Sequence, residues 1–175
     1  MNLEILQKIS AQILARQVPT YERYLYSKID FNSKLIGIKG ARGAGKSTIL
    51  LQYAKSLEIP ISKILYVSCD HPAMSGENLY EIAEAFYARG GKLFIIDEIH
   101  KNNNFSKDLK AIYDVFELQV LFSGSSALQI EHSSGDLSRR AVLHTLGVLS
   151  LREFCELQTK QSFKSYTLDE ILKNH

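Results

Sequence analysis

Eight residues limit the folds open to this chain more than any other part of it. Residues 40 to 47 read Gly-Ala-Arg-Gly-Ala-Gly-Lys-Ser, entered by the apolar run Leu-Ile-Gly-Ile at 35–38 and left by Thr-Ile-Leu-Leu-Gln-Tyr-Ala-Lys-Ser-Leu at 48–57. Glycines so spaced let the backbone curl until successive N–H groups point inward as a nest. The helix that follows adds the positive end of its dipole. A buried strand running into such a loop, with a helix running out, is half of a strand–helix–strand unit. That unit needs a parallel partner strand to complete it.

The rest of the chain supplies the partners. Apolar runs at Ile64 to Ser68, Leu93 to Ile96 and Val120 to Ser123 are each too short for a helix, and Ala141 to Leu146 reads as a fifth strand. Between them, residues 46–57, 77–88 and 106–117 have helical periodicity, the second closed by Gly90 and Gly91. Near-continuous apolar strands separated by helices predict an α/β fold: three layers, with a parallel sheet covered on both faces. Ahead of it, Leu3, Leu6, Ile9, Ile13 and Leu14 predict an amphipathic helix over 2–17 that stops before Pro19. A tyrosine-rich stretch follows (Tyr21, Tyr24, Tyr26), read as packed surface rather than base-stacking. The most loop-like segment is 131–140, and Thr167 to Lys173 reads as one short helix. The expected organisation is an N-terminal helical segment over 1–30, a core over 31–150, and the start of a helical lid or a truncated segment over 151–175.

Composition excludes several classes. Lysine and arginine total 21 against 19 acids, a net charge of +2, so charge does not argue for nucleic acid or an acidic partner. The longest apolar runs are far too short to span a bilayer, and Glu4, Gln7 and Lys8 break up the N-terminus as a secretory signal. The cytoplasm is the expected compartment by default. Cys69 and Cys155 lack the Cys/His company of a zinc site and read as reduced packing residues.

The chemistry follows from the loop. The pattern G-x-x-x-x-G-K-S suits a nucleoside triphosphate with Mg²⁺. Gly40, Ala41, Arg42, Gly43, Ala44, Gly45, Lys46, Ser47 and Thr48 form the expected binding set. Lys46 places an ammonium on the β- and γ-phosphates, Ser47 offers a hydroxyl to the metal, and Thr48 sits near the α-phosphate. The side chain of Arg42 can face phosphate, a partner or only water. At the end of the third strand, Asp97 is the candidate second holder of the metal shell. Glu98, pointing differently, is the candidate that polarises the attacking water. Ser123 and Ser125 end the fourth strand, where a hydroxyl reaches phosphate or water, or where Ser125 or Ser126 caps a helix. Arg140, and less so Arg139, is the candidate arginine finger, against a plain surface pair. His100 either relays nucleotide state or caps a helix, and Asp70 is a weaker candidate at the crevice edge. No guanine-reading Asn-Lys-x-Asp occurs, the nearest string being Lys101-Asn102-Asn103-Asn104, so ATP is preferred over GTP.

Taken together, these residues resemble the AAA+ superfamily, and more narrowly the prokaryotic AAA_14 ATPases, often fused to a C-terminal DUF4143 domain. The strings that carry the resemblance are IKGARGAGKSTILLQ, YVSCD, LFIIDEIHK, LKAIYD, LFSGSSAL, DLSRR and LSLREF, spanning 36–154 in order. The resemblance implies a sheet ordered 5-1-4-3-2, Lys46 and Ser47 as Walker A, Asp97 and Glu98 as Walker B, and Ser123 or a neighbouring serine as first sensor. Arg140 matches the arginine of the family's L-S-x-R string, with Arg139 where glycine is more usual, so the choice between them stays open, as does action within one subunit or on a neighbour. A helical lid and a further domain are expected after LSLREF, but about twenty residues remain, too few to locate a second sensor, which reads as a fragment or truncated product. The leading expectation is an Mg-dependent ATPase whose cycle drives an unknown protein partner or attached domain, with self-assembly into a homo-oligomer compatible. The rival is a nucleotide-dependent switch with negligible turnover. A phosphotransferase would need an acceptor pocket and a lid, and neither is evident.

Overall fold

The structure is a computed structural model that describes residues 3–125, 137, 139–164, 166 and 168–173. In chain order its elements are helix α1 (Leu3–Leu14), strand β1 (Leu35–Gly40), α2 (Lys46–Ser56), β2 (Ile64–Ser68), α3 (Leu79–Ala88), β3 (Leu93–Asp97), α4 (Phe105–Val115), β4 (Gln119–Gly124), β5 (Val142–Leu146), α5 (Leu151–Thr159) and α6 (Leu168–Lys173). The five strands form one parallel sheet in the order β2-β3-β4-β1-β5. This is the expected 5-1-4-3-2 arrangement.

Strand parity sorts the core into two layers. On one face Ile36, Ile38, Leu93, Ile95 and Leu121 pack with Ile49, Leu50 and Tyr53 of α2. On the other, Leu65, Val67, Phe94, Ile96 and Phe122 pack with Leu79, Ile82 and Phe86 of α3 and Leu109 and Ile112 of α4. Full burial of such side chains stabilises by about 1.5–3 kcal/mol each, so both faces of the central strands must be covered. Helix α1 lies along the edge strand β2, and Ser10 Oγ accepts the Tyr66 N–H at 2.8 Å. That bond occupies part of an edge that would otherwise be open to another strand.

Element ends differ from expectation where main-chain turns and side-chain caps decide them. Helix α1 stops at Leu14 rather than 17, in a turn closed by Arg16 N–H on Ile13 O at 3.1 Å. Helix α3 begins at Leu79 because Asn78 Oδ1 accepts the Tyr80 and Glu81 N–H groups at 2.8 and 3.1 Å. Helix α5 was expected only as the beginning of a lid. It starts with a capping box in which Ser150 Oγ accepts the Glu153 N–H and Glu153 accepts the Ser150 N–H. The pattern Ser150-Leu151-Arg152-Glu153 carried that signal. Of the loop-like stretch 131–140, only 137, 139 and 140 fall within the described residues. No helix among the described residues is long and apolar enough to cross a membrane.

Candidate functional site

Parallel strands carry their C-terminal ends to one edge of the sheet, and the expected site residues that come together do so there. β1 runs into the loop 41–45, and Gly45, at φ 100°, turns the chain into α2. A side chain is disfavoured in that left-handed backbone. Gly40 is demanded differently: a methyl group there would collide with the Leu146 carbonyl of the paired strand β5. Lys46 is 4% exposed, and its ammonium donates to the carbonyls of Gly40 at 3.0 Å and Ala41 at 2.9 Å. Its charge therefore sits across the loop mouth. Ala41 and Arg42 are exposed, while Ser47 and Thr48 lie half-buried in the first turn of α2.

The acidic end of β3 is tied to this helix. Asp97 is buried and shares a sheet face with Leu93 and Ile95, the face that α2 covers. Ser47 Oγ donates to Asp97 Oδ2 at 2.6 Å. Tyr66 Oη donates to the same oxygen, also at 2.6 Å. Ser123 Oγ donates to Asp97 Oδ1, and the Glu98 N–H reaches that oxygen at 3.1 Å. Three hydroxyls from α2, β2 and β4 thus converge on one carboxylate. Burial, and then the Asp97 charge, push the Tyr66 hydroxyl far above its ordinary titration range, so it remains a donor. Burial also pushes the Cys69 thiol up to about 12, with Asp97 and Glu98 adding to the effect. The packing role expected for this cysteine follows, since thiolate is the reactive form.

Glu98 departs from the strand at φ 53°, ψ 40°, a left-handed conformation rare for a residue with a side chain. The turn aims its carboxylate away from that of Asp97. Glu98 Oε2 accepts from Ser125 Oγ at 3.4 Å and lies 3.5 Å from His100 Nε2. His100 Nε2 is also 3.0 Å from Ser125 Oγ, and its Nδ1 accepts the Ser125 N–H at 3.3 Å. His100 therefore touches the glutamate rather than only capping a helix. Ser126 lies outside the described residues.

Three expected residues are not brought to the loop. Arg140 lies two residues before β5, whose first residue pairs with Ile36 near the start of β1. It is at the opposite edge of the sheet, about 16 Å of strand away from the loop. There it donates to Asp114 through Nε at 2.8 Å and a second nitrogen at 3.0 Å, holding that carboxyl below its ordinary range. Arg139 is exposed beside it. Neither can reach the phosphate loop of its own subunit. Asp70 is 3.8 Å from Lys101 and lines a separate cleft.

Two residues at the site were not anticipated. Tyr66 was signalled only by a tyrosine in an otherwise aliphatic strand. Arg23, hidden among the tyrosines, is 7% exposed and donates to the Ala44 carbonyl in the loop. It also reaches the carbonyls of Gly147 and Val148 at 3.0 and 3.2 Å and the carboxylate of Glu153 at 2.7 Å. Burial pushes Glu153 up, but the Arg23 guanidinium and the N–H groups of Ser150 and Tyr24 outweigh it and bring Glu153 down to about 2.

For a metal, the donor chemistry fits Mg²⁺. Ser47 Oγ and Asp97 Oδ2 are hard oxygens already side by side at the loop, and Mg²⁺ takes few protein ligands when phosphate and water supply the rest. No cluster of three or more His, Cys, Asp or Glu side chains suited to a metal occurs among the described residues, so such an ion would be held jointly with the nucleotide.

A parallel sheet of this order, with a glycine loop after β1 and acids at the end of β3, defines an AAA-type P-loop domain, nucleotide-binding and ATPase-like in class. Within that class the chain belongs to the AAA_14 family, whose model, described as an AAA domain, matches residues 32–155. It is 30% identical over 152 residues to the uncharacterized protein MJ1637 of Methanocaldococcus jannaschii, covering 81% of this chain and 32% of that protein. The chain thus spans about a third of that curated relative's length. Among solved structures, the S. cerevisiae Hsp104–ADP complex aligns with a TM-score of 0.52 at 19% identity, over 91% of this chain and 24% of that one. At that identity the likeness is one of fold.

Proposed function

We propose that this domain binds Mg·ATP and hydrolyses its β–γ phosphoanhydride, coupling the cycle to a protein partner or attached domain. The observation that carries the reading is the 2.6 Å contact between Ser47 and Asp97, which joins the phosphate loop to the acidic strand end with Glu98 one residue beyond. The main-chain nest and Lys46 bind the triphosphate, with the loop from Gly40 to Thr48 as its cradle. Ser47 and Asp97 would hold the metal, which would supply neutralisation of the charge developing on the phosphates. Glu98 takes a proton from water as its oxygen bonds to the γ-phosphorus and the bridging P–O bond breaks, releasing ADP. Ser123, held on Asp97, is the proposed first sensor. Residues 31–150 are the proposed catalytic core, flanked by 1–30 and 151–175, and the cytoplasm is the proposed compartment.

The position of Arg140 supports a finger acting on a neighbouring copy, and hence a homo-oligomer, over one acting within its own subunit. The alternative of a slow nucleotide switch draws support from the contacts of Glu98 with Ser125 and His100, which engage the would-be base. Glu98→Gln separates the two. Steady-state phosphate release should fall about 100-fold or more, while affinity for fluorescent ATP stays within about twofold of the parent. Equal phosphate release by both proteins would remove hydrolysis from Glu98.

A further inference from the structure

We propose that Arg23 is a positioning residue for the phosphate loop: held between the loop and the start of α5, it orients the Ala44–Gly45 peptide so that the Gly45 N–H faces bound phosphate. The inference rests on the nucleotide reading given above and names a residue that sets the shape of that same site.

The backbone of the loop leaves this peptide undecided. Gly45 sits at φ 100° and Gly43 at φ 78°, and glycine takes either hand of backbone at little cost. Rotation about the two soft bonds beside the Ala44–Gly45 peptide can turn its plane over. Helix α2 does not prevent this. Its first main-chain bond runs from the Ile49 N–H to the Gly45 carbonyl at 3.1 Å, one residue past the Ala44 oxygen. The Ala44 oxygen therefore needs another partner, and the Arg23 guanidinium supplies it.

That bond fixes the other side of the peptide. The peptide is trans, so its C=O and its N–H point in opposite directions. A guanidinium gripping the Ala44 carbonyl from one side turns the Gly45 N–H to the other. Arg23 Nη1 lies 3.9 Å from the point where a side chain on Gly45 would begin, close enough to hold this one peptide and no wider stretch of loop. Among the described residues no acceptor takes the Gly45 N–H. It joins the N–H groups of the first turn of α2, the donors that a helix start leaves for a polyanion.

The guanidinium is itself fixed. It is 7% exposed and donates to the carbonyls of Gly147 and Val148 at 3.0 and 3.2 Å, just past β5, and to Glu153 at 2.7 Å. Contacts in several directions set the plane of a rigid fork, which an ammonium on a flexible stem would not reproduce. Both legs of the phosphate loop thus bear on the end of β5. Gly40 lies against the Leu146 carbonyl, and Ala44 is tied through Arg23 to the next two residues.

The test compares the parent with two variants. Arg23→Lys keeps the charge beside Glu153 but loses the fork. Glu153→Gln weakens the same clasp while leaving an acceptor for Nε and the bond to Ala44. Affinity for mant-ADP is read by fluorescence, and the Gly45 amide by ¹H–¹⁵N spectra with and without ADP. Arg23→Lys should weaken mant-ADP binding about fivefold or more, as expected for one misdirected hydrogen bond to a charged group. Glu153→Gln should lose less than about fivefold despite its lower stability. The Gly45 amide proton should move downfield when ADP binds the parent, and much less in Arg23→Lys. A loss below about fivefold in a folded Arg23→Lys would overturn the role. So would an equal loss in Glu153→Gln, which would trace the effect to stability, or a Gly45 response identical in parent and Arg23→Lys. Where Arg23→Lys does not fold, the parent decides: a Gly45 amide that ignores ADP while other loop amides respond overturns the role, and a downfield move supports it. A parent that binds no mant-ADP sinks the nucleotide reading instead. The hold on the peptide is then judged without nucleotide, from the Gly45 amide and Ala44 carbonyl resonances, which a folded Arg23→Lys must displace.

Discussion

Replacing Glu153 by Gln tests the clasp that joins the start of α5 to the phosphate loop. Glu153 is 1% exposed and pairs with Arg23 at 2.7 Å, while Arg23 also holds the Ala44 carbonyl. Its carboxyl is lowered from 4.5 to about 2. A depression of about 2.5 units corresponds to about 3 kcal/mol of stability at neutral pH. Gln keeps the shape but leaves the buried guanidinium uncompensated, which costs a similar amount, about 3–5 kcal/mol. At about 2–4 °C per kcal/mol for a domain of this size, Glu153→Gln should lower Tm by roughly 6–20 °C.

The sign with pH is distinctive. Because the folded value is depressed, the stabilisation is complete above the unfolded value of 4.5 and lost as pH falls toward about 2. Urea unfolding at neutral pH should show a gap of about 3 kcal/mol between parent and variant, shrinking to roughly half near pH ~3.5. Other carboxylates titrate in both proteins and cancel in the difference. A neutral-pH gap below about 1 kcal/mol, or one that does not change with pH, would mean that the Arg23 clasp is an ordinary surface pair.

Three other perturbations address the site. Tyr66→Phe removes one of the three hydroxyls on Asp97 and should cost about 1.5–3 kcal/mol in urea unfolding; no change would mean the hydroxyl contributes nothing net to that carboxylate. Gly40→Ala should destabilise by about 1–3 kcal/mol and weaken nucleotide binding in calorimetry, because its methyl meets the Leu146 carbonyl. Arg140→Ala disrupts a partly exposed pair with Asp114 and should change Tm little. Its phosphate release should nonetheless fall about 10³-fold or more if the arginine serves a neighbouring copy; unchanged turnover across a range of protein concentrations would remove that role.

Most of the sheet was legible before folding. Leu35, Ile64, Leu93 and Val120 lie at the starts of apolar runs in β1 to β4 that are buried on both faces, while the edge strand β5 from Val142 is only partly covered, and the glycine loop forces the turn from β1 into α2. Asp97 and Glu98 were legible as a pair because strand ends in a parallel sheet share one edge. What the chain alone could not disclose was which distant groups meet them. Tyr66 and Ser123 reach Asp97 only because β2 and β4 flank β3 with matching parity, a consequence of strand order rather than local pattern. Arg140 looked as available to the phosphates as any other arginine until the direction of β5 set it at the far edge beside Asp114. Arg23 and Glu153, separated by 130 positions, became a buried pair through packing. Local periodicity and turn chemistry act over a few residues and so are written into the sequence. Burial, counter-charge and the pairing of remote side chains depend on the whole folded solution, and only the tertiary structure decided them.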